Sequence, residues 1–230
     1  MIRIEGLDVS IGAVSILRNV AMELPSGKFT GLVGRNGAGK TTLMRAIMGI
    51  LPARNGSIHF ESRTLDTTAT HLRARAGFGY MPEDRRLVPH LTVEENVLMP
   101  AWASGLRNPS ARLANVYEMI PEVEAFAARK AVMLSGGQQK LVALARALMC
   151  GTKVLLLDEP FEGVAPVLAR RLAEVIAGLR QGGLSILLTE SDLSHSKELL
   201  DSLYVIDRGE VRPGSLQPAR GEGSGADASA

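Results

Sequence analysis

The stretch GRNGAGKT, Gly34 to Thr41, decides the reading of this chain. It fits the pattern G-x-x-x-x-G-K-[ST] at every position. KFTGLVG before it reads as a strand. GKTTLMRAIMGIL after it reads as a helix with Leu43, Ile47 and Met48 on one face. Glycines let the backbone turn tightly and aim its amides inward. The start of the helix adds unpaired N–H groups and a partial positive charge. Gly34, Arg35, Asn36, Gly37, Ala38, Gly39, Lys40, Thr41 and Thr42 are therefore expected to cradle phosphates. Lys40 is the residue that reaches β- and γ-phosphates, and Thr41 is the candidate ligand of Mg²⁺.

Strands and helices alternate on both sides of this loop. GFGYMP reads as a strand end. LTVEENVLMPAW opens a helix at Thr92, with Glu95 placed for a capping box. KVLLLDEP holds four aliphatic residues in a row, as a central parallel strand does. APVLARRLAEVIAGLRQGG is a helix with Pro166 in its first turn and a stripe of Leu168, Leu172, Val175, Ile176 and Leu179. LSILLTE is the next strand and LYVIDRGEV a hairpin. The expected fold class is α/β around a mostly parallel central sheet. A helical lobe is expected at about residues 84–149, within one domain over residues 1–213.

Ligands of open parallel sheets bind beyond the carboxyl ends of the strands. VLLLDE ends there in Asp158 and Glu159, and ILLTES ends there in Ser191. Asp158 suits the shell of Mg²⁺. Glu159 is the candidate to orient or deprotonate an attacking water. Ser191 is expected to face the γ-phosphate region.

Composition bounds the rest. The 230 residues carry a formal net charge of +2, too balanced to point to nucleic acid as a partner. Hydrophobic residues are 46% and charged residues 22%, ordinary for a globular protein. The single cysteine, Cys150, cannot close an internal disulfide and reads as a small core residue. No run approaches the roughly 18 apolar residues of a membrane span, and the start lacks the apolar stretch of a signal peptide. Ile2 and Ile4 alternate with Arg3 and Glu5, as in a half-buried strand. A cytoplasmic location is expected. Residues 214–230 are rich in Gly, Ala and Ser, hold one leucine and are expected to form a disordered tail.

LSGGQQ, Leu134 to Gln139, selects among phosphate-loop folds. On its own, Ser135 with Gln138 three residues on is a capping box opening the helix QQKLVALARALM. A helix start with Ser135, Gly136 and Gly137 is also a ready anion site. Standing shortly before VLLLDEP, it resembles the signature motif of the ATP-binding cassette (ABC) family. GRNGAGKTT, GYMPE, LSGGQQ, VLLLDEP, EGVAP and LLTES follow in the family's order, from Ile2 to about Val211. The resemblance implies a P-loop NTPase fold with an N-terminal antiparallel β part. It implies ATP as ligand, with Ser135, Gly136 and Gly137 capping the γ-phosphate held by a second cassette packed head to tail. Asp158 and Glu159 match the family's magnesium aspartate and catalytic glutamate.

Three positions depart from the family pattern. Ile11 before Gly12 stands where an aromatic residue usually stacks on adenine, and it offers no π face. Glu83 replaces a glutamine that touches Mg²⁺ and the membrane partner, and as a carboxylate it remains a candidate metal ligand. Ser191 replaces a histidine, and serine supplies one short neutral donor. His195, four residues on, is expected to lie past the edge on a solvated helix. YMPEDRRLVPHLTVEENVLMPAW and DEPFEGVAP resemble the shorter ATP-binding subunit of importers for branched-chain amino acids, urea and short amides. That likeness implies a heterodimer with a longer ATP-binding subunit, two permeases and, indirectly, a solute-binding protein. It implies a place on the inner face of the cell membrane and ATP hydrolysis as motor. Within such a pair the Ser191 site is expected to be the weaker one. The alternatives are a weakly hydrolysing regulatory subunit and a soluble ABC ATPase.

Overall fold

The computed structural model describes residues 1–216. Its elements run β1 (Ile2–Ile11), β2 (Val14–Leu24), β3 (Phe29–Val33), α1 (Lys40–Ile47), β4 (Asn55–Phe60), β5 (Arg63–Thr64), α2 (Thr70–Arg75) and β6 (Phe78–Met81). Four helices follow: α3 (Val93–Ser104), α4 (Pro109–Met119), α5 (Pro121–Ala125) and α6 (Gly136–Cys150). The chain then returns through β7 (Val154–Asp158), α7 (Pro166–Gly178), β8 (Ser185–Glu190), β9 (Ser202–Asp207) and β10 (Glu210–Pro213).

Two sheets result. One is antiparallel in the order β2-β1-β4-β5. The other runs β10-β9-β3-β8-β7-β6, parallel except for the β9–β10 hairpin. The burial of β1 begins buried-exposed-buried-exposed, the alternation that Ile2, Arg3, Ile4 and Glu5 announced. Every residue of β7 and β8 is buried. That is why these strands show no polar alternation: each face packs on a different core. Leu155, Leu157, Ile186 and Leu188 face α3–α7. Val154, Leu156 and Leu187 face α1 and the antiparallel sheet.

Local signals explain the helix boundaries. Thr92 caps α3, accepting from the Glu95 amide while the Glu95 carboxylate accepts from the Thr92 amide at 2.7 Å. Ser135 and Gln138 repeat that arrangement at α6, at 3.3 and 3.0 Å. Each cap satisfies donors that the first turn leaves open. At the expected tail, the Gly214 amide donates to the Leu203 carbonyl at 2.8 Å, so the first tail residue is tied to β9. Residues 217–230 lie outside the described residues.

One buried cation organises the junction between the sheets. Arg73 is 3% exposed and donates to the carbonyls of Ala46, Ile47, Leu65 and Thr68 at 2.5–3.0 Å. It closes the C-terminal end of α1, where carbonyls lack helical partners. Arg73→Ala takes the side-chain donor from four carbonyls; Ala46 and Leu65 keep the amides of Gly49 and Thr68, while Ile47 and Thr68 lose the donor that served them. We expect a loss of about 3 kcal/mol, read as a fall in Tm of roughly 6–12 °C. A fall under about 2 °C would contradict this account of Arg73.

Candidate functional site

The register of the parallel sheet brings the functional segments together. Val33 pairs with Glu190, and Thr189 pairs with Asp158. Strands β3, β8, β7 and β6 therefore end at one edge. The loop after β3 runs from Gly34 to Gly39 into α1, and the Gly34 amide donates to the Glu190 carbonyl at 3.1 Å. Gly39 sits at φ 114°, and a Cβ there would meet Leu17 Cδ2 at 2.9 Å. The backbone angle requires glycine at that turn, and the close Leu17 methyl leaves little room for a larger residue.

Lys40 opens α1 and is turned back under the loop. Its ammonium donates to the Gly34 carbonyl at 2.5 Å and the Arg35 carbonyl at 3.1 Å. It also meets Glu159 Oε1 at 2.9 Å, and both side chains are under 5% exposed. Lys40, Thr41, Thr42, Asn36, Gly37, Gly39, Glu83, Glu159 and Ile16 line a cleft of about 430 Å³. A donor-rich loop, an ammonium and a helix start make this cleft suited to phosphates.

Asp158 is fully buried at the end of β7. Thr189 Oγ1 donates to its Oδ1 at 2.8 Å and Tyr80 Oη to its Oδ2 at 3.1 Å. Burial pushes its carboxyl above the ordinary range, and hydrogen bonds from Thr189, Thr41 and Tyr80 pull it back. Thr41 and Asp158 are thus in reach of one another, and their hard oxygens fit a magnesium ion. Among the described residues no three His, Cys, Asp or Glu side chains gather to hold a metal unaided. Glu83 is exposed after β6. Burial of its carboxyl, and then Glu162, Glu159 and Asp158, push it upward. It stands in a field of like charge that a cation would relieve.

Glu159 occupies the left-handed region at φ 48°. Its Oε2 accepts from Ser191 Oγ at 3.1 Å. The same hydroxyl approaches Asn36 Oδ1 at 2.8 Å, so one proton serves two acceptors. Ser191 therefore touches both the loop and the glutamate. His195 does not join them: it is exposed on a turn, not a helix, with its ring 5.9 Å from that of Phe161.

Ile11 and the signature turn stand apart from this cleft. Ile11 is 49% exposed at the end of β1 and is not among the residues lining the cleft. Ile16, five residues on in β2, does line it. Nothing in the pattern of residues marks Ile16, because its place depends on how β2 crosses over the loop. Ser135 and Gly137 line a different cleft of about 330 Å³, with Gly163, Val164, Ala165 and Leu168. Gly136 stands between them in the first turn of α6, its carbonyl accepting from Arg85 at 3.1 Å. The signature turn and the phosphate loop thus occupy separate clefts of one chain.

Glu190 adds a pH-dependent element. It is 7% exposed, and its Oε1 has no hydrogen-bond partner. Burial pushes its carboxyl up to about 8 from 4.5. Below pH 4.5 the group is protonated whether the chain is folded or not. Between there and about pH 8 the folded chain keeps a proton that the unfolded chain releases, so stability falls as pH rises. Glu190→Gln should remove this term. We expect the variant to gain at least about 3 °C in Tm over the wild type between pH 5 and pH 8. Parallel Tm curves would contradict it.

The comparisons with known proteins agree with this geometry. The ABC transporter family profile matches residues 17–162. The chain is 33% identical to the high-affinity branched-chain amino acid transport ATP-binding protein BraG of Pseudomonas aeruginosa, over 92% of this chain and 91% of that protein. It is 31% identical to the lipopolysaccharide export system ATP-binding protein LptB of Haemophilus influenzae, over 90% and 87%. A nucleotide-free ATP-binding cassette from an ABC transporter superposes with a TM-score of 0.81 at 28% identity, covering 92% and 89%. No helix among the described residues is long and apolar enough to cross a membrane. The chain belongs to the ABC transporter family and is one of its ATP-hydrolysing ATP-binding subunits.

Proposed function

We propose that this chain is the motor subunit of an importer for branched-chain amino acids or a related small polar solute. In this reading it pairs head to tail with a longer ATP-binding subunit, at the inner face of the membrane under two permeases. A solute-binding protein delivers the solute to those permeases. The observation that carries the paired arrangement is the separation of Ser135–Gly137 from the phosphate loop into two clefts. A γ-phosphate held at Lys40 has no signature turn of its own chain beside it, so a second cassette must supply one.

Within its own half-site, Lys40 and the loop amides hold the β- and γ-phosphates. Thr41 and Asp158 hold the magnesium ion, which when bound neutralises charge between those phosphates. Glu83 faces the same charge from β6. Glu159 takes the proton of the attacking water, and Ser191 fixes its Oε2. Serine lacks the reach and charge of imidazole. Losing one electrostatic contact of that kind costs about 10²-fold in rate, so the Ser191 site is the weaker of the pair.

A large apolar groove supports coupling to a membrane partner. It measures about 620 Å³ and is lined by Met48, Ile50, Met99, Pro100, Ala103 and Cys150, beside Arg86. Arg85 and Arg86 are held by α6, through Arg146 donating to both their carbonyls. A permease segment seated there would sit next to the Glu83 loop. BraG gives the branched-chain reading its support, and LptB is the basis for an export reading. Reconstitution decides: the chain, its partner subunit and the two permeases in vesicles, with radiolabelled leucine, urea or lipopolysaccharide. ATP-dependent leucine or urea uptake supports the importer. Lipopolysaccharide release without uptake of either solute overturns it.

A further inference from the structure

Glu159 needs more than its own loop to hold its aim. A non-glycine residue at φ 48° is disfavoured by contact of its Cβ with the backbone. Such a conformation persists only where surrounding groups fix it. The Glu159 amide is fixed by β8, donating to the Thr189 carbonyl at 3.1 Å and Thr189 Oγ1 at 3.2 Å. Its carbonyl is fixed from the other side. There it accepts from the Lys140 ammonium at 2.8 Å and from the Glu162 amide at 3.2 Å. Of the two donors to this carbonyl, Glu162 belongs to the same loop and Lys140 comes from helix α6.

Lys140 lies in α6, the helix whose first turn carries Gly136 and Gly137, and it is 5% exposed. Burying an ammonium is costly, and burial accordingly lowers its proton affinity. Glu190 and Glu162, the next influences on it, offset part of that cost, with Arg85 opposing them. A cation placed there only for packing would be replaceable by an apolar side chain of similar length. Its ammonium is instead aimed at one backbone oxygen, that of the left-handed residue.

We propose that Lys140 is a positioning residue that ties the Glu159 backbone to helix α6. The first turn of that helix and the aim of the Glu159 carboxylate then move as one body. The inference rests on the reading of Glu159 as the residue that activates water. It adds a mechanical link between the signature cleft and the phosphate-loop cleft of the same chain. A shift of α6 as its N-terminus closes on a phosphate would displace Glu159 relative to Lys40 and Ser191.

The test compares wild type, Lys140→Met and Lys140→Arg, each assembled with the partner subunit. It measures kcat, KM for ATP, Tm and amide hydrogen exchange over residues 159–162. Misplacement of a catalytic group by about 1 Å can cost 10²-fold. Lys140→Met should therefore lower kcat at least about 10-fold with KM within about two-fold. Its Tm should be equal to or above that of the wild type, and exchange over 159–162 faster. Lys140→Arg should recover most of kcat. Overturning results are a Lys140→Met kcat within about two-fold of wild type, or a loss of kcat matched by a loss of Tm with unchanged exchange. If wild type and Glu159→Gln turn over equally, the reading of Glu159 has failed. The exchange data then decide the tie alone: faster exchange in Lys140→Met supports it, and unchanged exchange overturns it.

Discussion

Glu159→Gln is expected to slow phosphate release from ATP by at least about 100-fold while ATP affinity stays within a few-fold. The substitution keeps the shape of the side chain and removes its capacity to take a proton. The amide oxygen can still meet Lys40, and that ammonium keeps the Gly34 and Arg35 carbonyls at 2.5 and 3.1 Å. The phosphate-binding parts therefore survive. Steady-state phosphate release and an ATP binding isotherm on the same preparation check the prediction. A loss of both in proportion would move Glu159 from water activation to nucleotide binding.

Lys40→Ala is expected to remove both binding and turnover. The ammonium is the cation held under the loop, and its loss leaves the β- and γ-phosphates with backbone amides alone. We expect ATP affinity to fall by about 100-fold or more, the worth of a buried charge-assisted contact at 2–5 kcal/mol. The variant also strands Glu159, whose carboxylate would remain buried beside Ser191 without its cation. Breaking such a pair from one side costs about 3–5 kcal/mol, which corresponds to a fall in Tm of roughly 6–20 °C. Calorimetry for ATP and a thermal melt read the two effects separately. Retention of ATP affinity within about three-fold would contradict the assignment of Lys40.

Much of this site was legible from local chemistry. The glycine spacing from Gly34 to Gly39 announces a turn that only glycine can make at position 39. The capping boxes at Thr92 and Ser135 were readable because both partners lie within one turn of chain. The unbroken aliphatic run of β7 declared a strand buried on both faces, and its two cores bear that out. Asp158, Glu159 and Ser191 could be set at one edge because parallel strands end together.

What escaped the sequence depends on distant segments. Tyr80 reaches Asp158 across 78 residues. Lys140 reaches Glu159 from α6, and Arg73 gathers carbonyls from α1 and from the β5–α2 connection. Each reads in sequence as an ordinary polar residue on a helix or strand, because its partner is set by tertiary packing. Ile16 lines the phosphate cleft from β2, a strand distant in sequence from the rest of that lining. The charged run Glu83 to Arg86 carries no sequence mark of the contacts that hold it. Its backbone is gripped by Arg146 and its Arg85 reaches the first turn of α6, so that it joins the phosphate-loop edge to the signature helix.

The most direct test is phosphate release from ATP by the purified wild-type chain together with the longer subunit proposed as its partner, with Mg²⁺ and with the metal chelated. The account predicts Mg²⁺-dependent release that exceeds the rate of either chain alone, because in the proposed pair the Ser135–Gly137 turn of this chain would complete the phosphate loop of the other subunit. No release from the mixture, or release that neither Mg²⁺ nor the partner changes, would contradict it.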